Sequence, residues 1–564
     1  MTQKKRTGGQ VLIDALLLHS VETVFCVPGE SFLGALDALY DKRQQIRVFT
    51  TRHEAGAVNM AEAYGKLAGK PGVAFVTRGP GAMHGAVGIH TATQDSTPLV
   101  LFVGQVKRAH LGREAFQEMD FVKVFAPFTK WVVQITDPSA IPDTVAEAFA
   151  AAQLGRRGPV VVVLPEDIQT DIVTVADSPP EAIVHASPTP NDMTKLRELL
   201  LAAHRPLMVV GGSGWTSRAR DEITHFAEQF DLPVATAWRR KDRFDNAHRC
   251  YVGDMGLAID PGLARRVKEA DLILAVGARL DDNTTSGYTL MAPPRSAQKL
   301  IHIYPCVDEL GRVFQADLAI ESDPAPFAKA AREMSPPDKI LPWAEWQAEG
   351  HADFETFIAP RHLPGAVDLA AIFSNLPDHL PADAIITNGA GTYTAWHHRY
   401  FLHRQFGTYL GPTSGAMGYG LPAAIAAKAM FPKRTVIALA GDGCFSMSAM
   451  ELATAKQYGL AIVVLVINNA SLGSIRMHQE KRYPGRVMGT SLVNPDFAAL
   501  ARSFGGHGET VRATAEFWPA LERCLKSGQV CVIDIHADVE AIMPHTTLSA
   551  VQKSSLVPLV NVDN

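Results

Sequence analysis

Glycines, an aspartate and an asparagine pair follow two apolar runs in the last third of the chain. The run RTVIALA leads into a Gly-Asp-Gly triplet (441–443), and the run AIVVLVI leads into Asn468 and Asn469. Glycines at the end of a strand let backbone N–H groups approach a phosphate, while carboxylate and amide oxygens are suitable ligands for Mg²⁺. Neighbouring parallel strands end at one edge of their sheet, so Asp442 and Asn469 would meet there. The spacing favours a magnesium and diphosphate site over a plain strand-to-helix turn.

Three further segments contain residues that could take part in chemistry. One is TRHEAGAVNMAEAYGKLAGKPGVAFVTRGPGAMHG from Thr51, in which Glu54 stands where a helix would begin. The others are SGAMGYGLPAAIAAKAM from Ser414 and NGAGTYTAW from Asn388. Taken singly, the segment from Thr51 is typical of a helix start at which the helix dipole favours an acidic residue. The segment from Ser414 is typical of a glycine-interrupted helix start, and the segment from Asn388 of a turn that ends a strand. Their functional interpretation depends on their order along the chain.

The elements that must position these residues alternate between apolar runs and helical patterns. The runs are VETVFCV, GVAFVT, PLVLFVG and GPVVVVLP; then PLMVVGGSG, LPVATAW, ADLILAVGARL and KLIHIYP; then DAIITNGAG, RTVIALAGDG, AIVVLVINN and VCVIDIHAD. Uninterrupted runs between helices are typical of parallel sheets that are covered on both faces. We therefore predict an α/β fold with three doubly wound parallel-sheet domains, at residues 1–172, 190–335 and 360–545, joined by Pro-containing linkers.

The composition excludes several classes of function. The chain has 564 residues, of which 47% are hydrophobic and 20% charged, and a formal net charge of -5. These values are typical of a multi-domain globular protein, and they provide no basic field for nucleic-acid binding. No run approaches the ~20 apolar residues that span a bilayer, and the six cysteines lack the spacing of a zinc site. We expect a cytoplasmic protein with neither nucleic-acid nor membrane partners.

Together these segments resemble the thiamine-diphosphate-dependent enzymes, and in particular the acetolactate synthase group, over nearly the whole chain. The resemblance implies thiamine diphosphate and Mg²⁺ as cofactors, with the metal held by Asp442, Asn469 and the carbonyl of Ser471. It also implies that Glu54 hydrogen-bonds N1′ of the cofactor's aminopyrimidine, favouring the imino tautomer that removes the proton from the thiazolium carbon. A carboxyl group in this role should be buried.

The resemblance assigns the remaining cofactor contacts and the domain roles. The N-terminal domain would bind the pyrimidine, the central domain would be Rossmann-like, and the C-terminal domain would bind the diphosphate and Mg²⁺. A glycine carbonyl would receive the 4′-amino group, and a methionine would wedge beneath the cofactor to hold its two rings in a V. The residues assigned to the cofactor are Gly391, Thr392, Gly415, Met417, Gly441, Gly443 and Cys444.

On the substrate side, REAFQEMDF matches a stretch whose adjacent Phe116 and Gln117 face the active site in the resembling group. A single phenylalanine is more often part of a core, so both interpretations of Phe116 stay open. Glu30, in the PGE turn after the first apolar run, is either an acid near the substrate or an exposed helix cap.

Four residues depart from the acetolactate synthase pattern. Glu166 replaces a lysine, His478 stands near the usual position of a tryptophan, His84 replaces an asparagine, and Arg78 precedes the GPG turn. A pocket with these residues need not prefer pyruvate, so the 2-oxo acid, its acceptor and the pathway stay open. In the central domain the GGSG turn is weak evidence for a dinucleotide, and a scaffold without nucleotide is favoured over bound FAD or ADP.

We therefore predict thiamine-diphosphate-dependent decarboxylation and/or carboligation of a 2-oxo acid by a homodimer or homotetramer. Oligomers are expected because sites in the resembling family lie between the N-terminal domain of one subunit and the C-terminal domain of another. One alternative is a lyase or decarboxylase for 2-hydroxyacyl-CoA or oxalyl-CoA, which would need a basic C-terminal lid. The tail from Ser549 contains only Lys553 as a basic residue.

An FAD-dependent oxidoreductase of the pyruvate oxidase kind is a further candidate, and so is a non-catalytic protein that keeps the fold. The oxidoreductase would be a yellow protein with flavin absorbance. The non-catalytic protein is disfavoured because Glu54, Asp442 and Asn469 are all present.

Overall fold

The computed structural model describes residues 5–336 and 341–556. The end of the C-terminal tail, on which the alternative of a basic lid depends in part, lies outside the described residues. The chain forms two compact units. The first comprises Met1–Phe230, Glu269–Asp281 and Met291–Leu341, and the second comprises Asp231–Lys268, Asp282–Leu290 and Pro342–Asn564.

The first sheet, in the first unit, has six parallel strands in the order β3-β2-β4-β5-β7-β6. In chain order its region contains β1 (Arg6–Thr7), α1 (Gly8–Leu18), β2 (Thr23–Cys26), α2 (Leu33–Asp41), β3 (Arg47–Thr50), α3 (Glu54–Ala68), β4 (Gly72–Val76), α4 (Pro80–Asp95), β5 (Leu99–Gln105), α5 (Phe121–Phe125), β6 (Trp131–Gln134), α6 (Ile141–Gln153), β7 (Pro159–Pro165), α7 (Glu166–Thr170) and β8 (Ile172–Val173). The short strands β1 and β8 pair antiparallel. Alternate residues of the inner strands point to opposite faces, and both sets are buried: Phe75 packs with α1 and α6, while the neighbouring Ala74 is also fully buried.

The second sheet is also six-stranded. Its region contains α8 (Pro190–Leu201), β9 (Pro206–Val210), α9 (Ser217–Gln229), β10 (Val234–Thr236), β11 (Tyr251–Asp254), α10 (Pro261–Glu269), β12 (Leu272–Val276), β13 (Lys299–Tyr304), β14 (Leu318–Glu321) and α11 (Pro324–Arg332). In the first unit, β9, β12, β13 and β14 are parallel neighbours in that order. In the second unit, β10 and β11 pair in parallel.

The third sheet, in the second unit, has the order β16-β15-β17-β18-β20-β19, again with every pair parallel. Its region contains α12 (Ala344–Phe357), α13 (Leu369–Asn375), β15 (Ile385–Asn388), α14 (Thr394–Tyr400), β16 (Tyr409–Leu410), α15 (Gly420–Met430), β17 (Val436–Gly441), α16 (Asp442–Ser446), α17 (Leu452–Gln457), β18 (Val463–Asn468), α18 (Gly473–Arg482), α19 (Phe497–Ser503), β19 (His507–Val511), α20 (Thr514–Lys526), β20 (Cys531–His536) and α21 (Leu548–Leu556).

The predicted α/β fold with three doubly wound parallel-sheet domains is confirmed. Each predicted apolar run forms one of the four inner strands of its sheet, whereas the six outer strands were not predicted. Within the described part of the chain, no helix combines the length and the apolar character needed to cross a membrane.

Candidate active site

The carboxyl ends of the first sheet bring together polar residues from segments that are far apart in the sequence. Glu54 follows β3, Arg78 follows β4 and Glu166 follows β7. Strands β2 and β4 are neighbours in the sheet. The chain continues from β2 to β3 on one side of this pair, and from β4 to β5 on its other side. Parallel α/β sheets open a crevice where the winding direction changes in this way, and ligands commonly bind there.

Glu54 is the first residue of α3, and it is buried, with 9% of its surface exposed. The helix begins there because the imidazole Nδ1 of His53 accepts a hydrogen bond from the backbone N–H of Ala55, at 3.1 Å. The Oε2 atom of Glu54 lies 2.9 Å from Nδ1 of His84 on α4. A Cβ atom on Gly81 would stand 3.2 Å from Oε1, so the glycine places no side chain beside this oxygen. The expected burial of the carboxyl group is therefore observed.

Arg78 links Glu166, another residue that departs from the resembling family, to the predicted substrate loop. Its Nη1 atom donates to Oε1 of Glu166 at 2.5 Å, and its Nε atom donates to the carbonyl of Phe116 at 3.2 Å. Gln117 lies against the GPG turn, since its Cβ would be 2.8 Å from a Cβ on Gly79. Phe116 is 74% exposed and so is not a core residue of this chain. The turn thus has Gln117 on one side and Glu54 on the other.

The PGE turn lies beside the same edge. Glu30 begins a short 3₁₀ turn and is exposed. The hydroxyl of the next residue, Ser31, accepts a hydrogen bond from the backbone N–H of Arg78 at 3.2 Å. Glu30 therefore lies next to the GPG segment in the fold, and its exposure is compatible with either interpretation of it, an acid near the substrate or a helix cap.

In the second unit a cavity of about 260 Å³ lies at the carboxyl ends of β15, β17 and β18. Strands β15 and β17 are the neighbours at which the winding direction of this sheet changes. The cavity is lined by every residue that the sequence assigns to the metal or the cofactor, apart from Glu54: Gly391, Thr392, Gly415, Met417, Gly441, Asp442, Gly443, Cys444, Asn469 and Ser471. These residues come from four separate segments.

Asp442 is 2% exposed, and the groups around its carboxylate are hydrogen-bond donors. Backbone N–H groups of Gly443 and Ser471 donate to it at 2.9 and 3.2 Å, and Nδ2 of Asn494 donates to Oδ2 at 2.7 Å. Burial raises the pKa of the Asp442 carboxyl group, and these hydrogen bonds offset part of that rise. A divalent cation would compensate the buried negative charge, so this site is suited to Mg²⁺.

Asn494 was not identified from the sequence. Its amide also donates to Oδ1 of Asn468 at 2.9 Å, and the Asn468 amide donates to Asp534 at 3.0 Å. This chain of amides fixes the orientation of Asp442. Asn494 lies in a segment without regular structure, and its Asn-Pro dipeptide indicates only a turn. No strand end marks it as a site residue.

Glycines allow close approach of the segments that line the cavity, because a Cβ on two of them would collide with a neighbouring side chain. A Cβ on Gly391, whose φ is +149°, would lie 2.8 Å from the ring of Tyr393. A Cβ on Gly443 would lie 2.5 Å from Leu472 and 3.7 Å from Cε of Met417. At Gly415, where φ is +67°, a Cβ would meet no described atom within 4 Å. The arrangement leaves room for a phosphate beside the backbone N–H groups.

The Cys444 thiol joins the loops around the cavity. Its Sγ atom accepts a hydrogen bond from the backbone N–H of Gly418 at 3.2 Å and lies 3.4 Å from the hydroxyl of Tyr393. That hydroxyl accepts a hydrogen bond from the N–H of Gly389 at 3.0 Å. Cys444 thus has a structural position at the cavity wall. His478, in contrast, is exposed on α18 and is not among the residues that line the described cavity.

In the central domain, two turns approach each other at the equivalent crevice in the first unit. The GGSG turn after β9 and the turn after β12 touch, because a Cβ on Gly212 would lie 1.9 Å from the carbonyl oxygen of Gly277. The buried Trp215 indole donates to the carbonyl of Gly211 at 2.7 Å. This close approach requires glycine at position 212. The scaffold without nucleotide stays a prediction.

Three family models match the chain. Residues 389–535 match the C-terminal TPP binding domain of thiamine pyrophosphate enzymes, residues 6–124 match their N-terminal TPP binding domain, and residues 193–331 match their central domain.

The chain is also similar to curated proteins over most of its length. It is 33% identical to the acetolactate synthase large subunit of Parasynechococcus marenigrum (strain WH8102), over 94% of this chain and 87% of that protein. It is 31% identical to an acetolactate synthase of Arthrospira platensis, over 94% of both chains. It is 30% identical to the acetolactate synthase isozyme 2 large subunit of Escherichia coli (strain K12), over 95% of this chain and 97% of that protein.

Proposed function

The chain belongs to the family of thiamine pyrophosphate enzymes, and we propose that it decarboxylates a 2-oxo acid, joins it to a second carbonyl compound, or does both. The observation that supports this function best is the cavity of the second unit. It combines a buried aspartate, an asparagine and glycine-lined walls at the carboxyl ends of three parallel strands. These are the groups that hold a magnesium diphosphate.

The metal site consists of Asp442, Asn469 and the backbone carbonyl of Ser471, which would hold Mg²⁺ through oxygen atoms. Asn494 orients the Asp442 carboxylate through its hydrogen bond of 2.7 Å. The walls formed by Gly391, Thr392, Gly441, Gly443 and Cys444 receive the diphosphate.

Glu54, Gly415 and Met417 act on the aminopyrimidine end. Bound thiamine diphosphate would supply a nucleophilic carbon for the substrate carbonyl and an electron sink for the negative charge left by loss of CO₂. The Glu54 carboxyl group would exchange a proton with N1′, the carbonyl of Gly415 would orient the 4′-amino group, and the Met417 side chain would pack beneath the cofactor.

Phe116 and Gln117 face the substrate from the first unit. The exposure of Phe116 and the contact of Gln117 with the GPG turn support this role. Arg78 and Glu166 hold this loop and change the polarity of the pocket relative to the acetolactate synthase pattern. The lyase and oxidoreductase candidates would place ADP or FAD in the central domain, where the GGSG turn is only weak evidence for a dinucleotide.

The domain roles and the assembly belong to the same proposal. Residues 1–172 bind the pyrimidine, residues 190–335 form the central domain, and residues 360–545 bind the diphosphate and Mg²⁺. The active unit is a cytoplasmic homodimer or homotetramer in which the two kinds of binding domain come from different subunits. Exposed apolar side chains support a covered interface. They are Met83 and Val87 on α4, and Met447 and Met450 in the segment after α16.

The experiment combines cofactor uptake with a substrate panel. We expect the protein to bind thiamine diphosphate only with a divalent ion, and to release CO₂ from at least one of a series of 2-oxo acids, assayed with and without aldehyde acceptors. The Glu54→Gln variant should bind the cofactor but release CO₂ about 100-fold more slowly, since it cannot exchange a proton with N1′. Glu147→Gln, an exposed residue on α6, is the control. Absence of uptake, or full turnover in Glu54→Gln, would contradict the proposal.

A further inference from the structure

The two oxygen atoms of the Glu54 carboxyl group have different surroundings. Oε2 lies 2.9 Å from Nδ1 of His84, while Oε1 faces Gly81, which contributes no side chain. A carboxyl group that must present one oxygen to a ligand needs its other oxygen fixed, because a glutamate side chain has several rotamers. In this chain the partner of the second oxygen is an imidazole.

The packing of α3 against α4 brings His84 to this position. Gly85 and Gly88 follow His84 on α4. A Cβ on Gly85 would lie 3.1 Å from the side chain of Val58 on α3, and a Cβ on Gly88 would lie 2.6 Å from it. The two helices therefore approach closely just after Glu54 and His84. The ring of His84 also stacks on the ring of His53, with centroids 4.5 Å apart, which limits its rotation.

We propose that His84 is a positioning residue that donates a hydrogen bond from Nδ1–H to Oε2 of Glu54 and so directs Oε1 toward the cofactor. This inference rests on the proposed role of Glu54, but it is independent of the identity of the 2-oxo acid. His84 acts through Glu54 and need not touch substrate or cofactor. The role needs an N–H donor at the δ position of residue 84, and it does not need a titrating ring.

Replacing His84 by asparagine or by leucine tests whether this N–H donor is needed. The Nδ2 atom of asparagine is as many bonds from Cβ as Nδ1 of histidine, and it donates a hydrogen bond. Leucine has similar bulk and no donor. His90 lies on the same helix α4, is exposed, and provides the matched control as His90→Asn.

The measurement is the rate of hydrogen–deuterium exchange at the thiazolium carbon of bound thiamine diphosphate, read by NMR after acid quenching, with no substrate present. We expect His84→Leu to slow this exchange about ten- to hundredfold, the range typical of lost outer contacts to a functional group. His84→Asn and His90→Asn should stay within about threefold of the unchanged protein. Cofactor affinity and the midpoint of thermal unfolding should be nearly equal in all four proteins, which separates positioning from a general loss of structure.

Two results would overturn the inference: exchange in His84→Leu as fast as in the unchanged protein, or exchange in His84→Asn as slow as in His84→Leu. If His84→Leu does not fold, His84→Ala takes its place in the comparison. Failure of the unchanged protein to bind thiamine diphosphate would instead refute the proposed function. The two failures are thus distinguishable.

Discussion

Two buried carboxyl groups with different neighbours support the proposed chemistry at the scale of single residues. Asp442 is surrounded by N–H donors and lies at the cavity wall, a setting that suits a cation. Glu54 has a histidine on one oxygen and a glycine on the side of the other. A carboxyl group can therefore serve as a metal ligand in one place and as a proton-exchanging group in another, because the environment sets the role.

Asn494 provides a test of the magnesium site that leaves the predicted ligands unchanged. Asn494→Ala removes the amide that donates to Asp442 and to Asn468, so the carboxylate loses its fixed orientation. We expect the apparent affinity for Mg²⁺, measured by titration in the presence of thiamine diphosphate, to fall about ten- to hundredfold. Asn375→Ala, an exposed residue on α13, is the matched control. An unchanged Mg²⁺ affinity in Asn494→Ala would show that Asp442 needs no such support.

At the scale of elements, burial distinguishes the predicted inner strands from three of the outer strands that were missed. Inner strands such as β5 and β7 are buried at every residue and appear in the sequence as continuous apolar runs. Outer strands such as β3, β6 and β19 are partly exposed, so their sequences contain polar residues. A strand with one neighbour needs no uninterrupted apolar run, and sequence patterns alone do not distinguish it from a loop.

Helix α14 connects the cavity wall to a buried group of histidines. It follows Gly391 and Thr392 in the chain and contains His397 and His398, both buried. The Nε2 atoms of His397 and His403 lie 2.9 Å apart, and His398 Nδ1 is 2.8 Å from Asp254. Burial lowers the pKa of His397 well below its ordinary value of 6.5, and the neighbouring histidines lower it further.

This shift predicts that the second unit loses stability in acid. Below pH 6.5 the unfolded chain binds a proton at His397 that the folded protein does not bind. The free energy of unfolding therefore falls as the pH falls, by up to about 1.4 kcal/mol per pH unit. The contribution is fully present above that pH. We expect His397→Gln to reduce the drop in Tm between pH 7.5 and 5.5 by about 3 °C in scanning calorimetry. His204→Gln, with an 80% exposed side chain, should leave the drop unchanged. Equal drops in both variants would exclude His397 as the source.

At the scale of the whole molecule, each unit contains only part of the proposed machinery. Glu54, Phe116 and Gln117 belong to the first unit, while the metal and diphosphate residues belong to the second. The proposed oligomer completes each site with a first unit and a second unit from different subunits. A symmetric dimer then contains two equivalent sites.

A mixed dimer tests this arrangement. Glu54→Gln and Asp442→Asn homodimers should each be nearly inactive. In a dimer that pairs one chain of each kind, one site receives both substitutions and the other receives neither, so roughly half of the unchanged activity should return. If both residues served the same site within one subunit, every site would carry one substitution and the mixed dimer would stay inactive. Purification with two different affinity tags isolates the mixed species for the assay.

The sequence by itself determined the fold class, the inner strands and the residues that follow them, because apolar runs and strand-ending glycines are local signals. The spacing of Asp442 and Asn469 indicated a magnesium site, and the resemblance to a known family added Glu54 as a site residue and thiamine diphosphate as the cofactor. Only the tertiary structure revealed Asn494 beside Asp442, His84 beside Glu54, and Arg78 between Glu166 and the Phe116 loop. These contacts join residues far apart in the chain or on separate elements, and no local pattern encodes a distance that depends on how helices and strand ends pack.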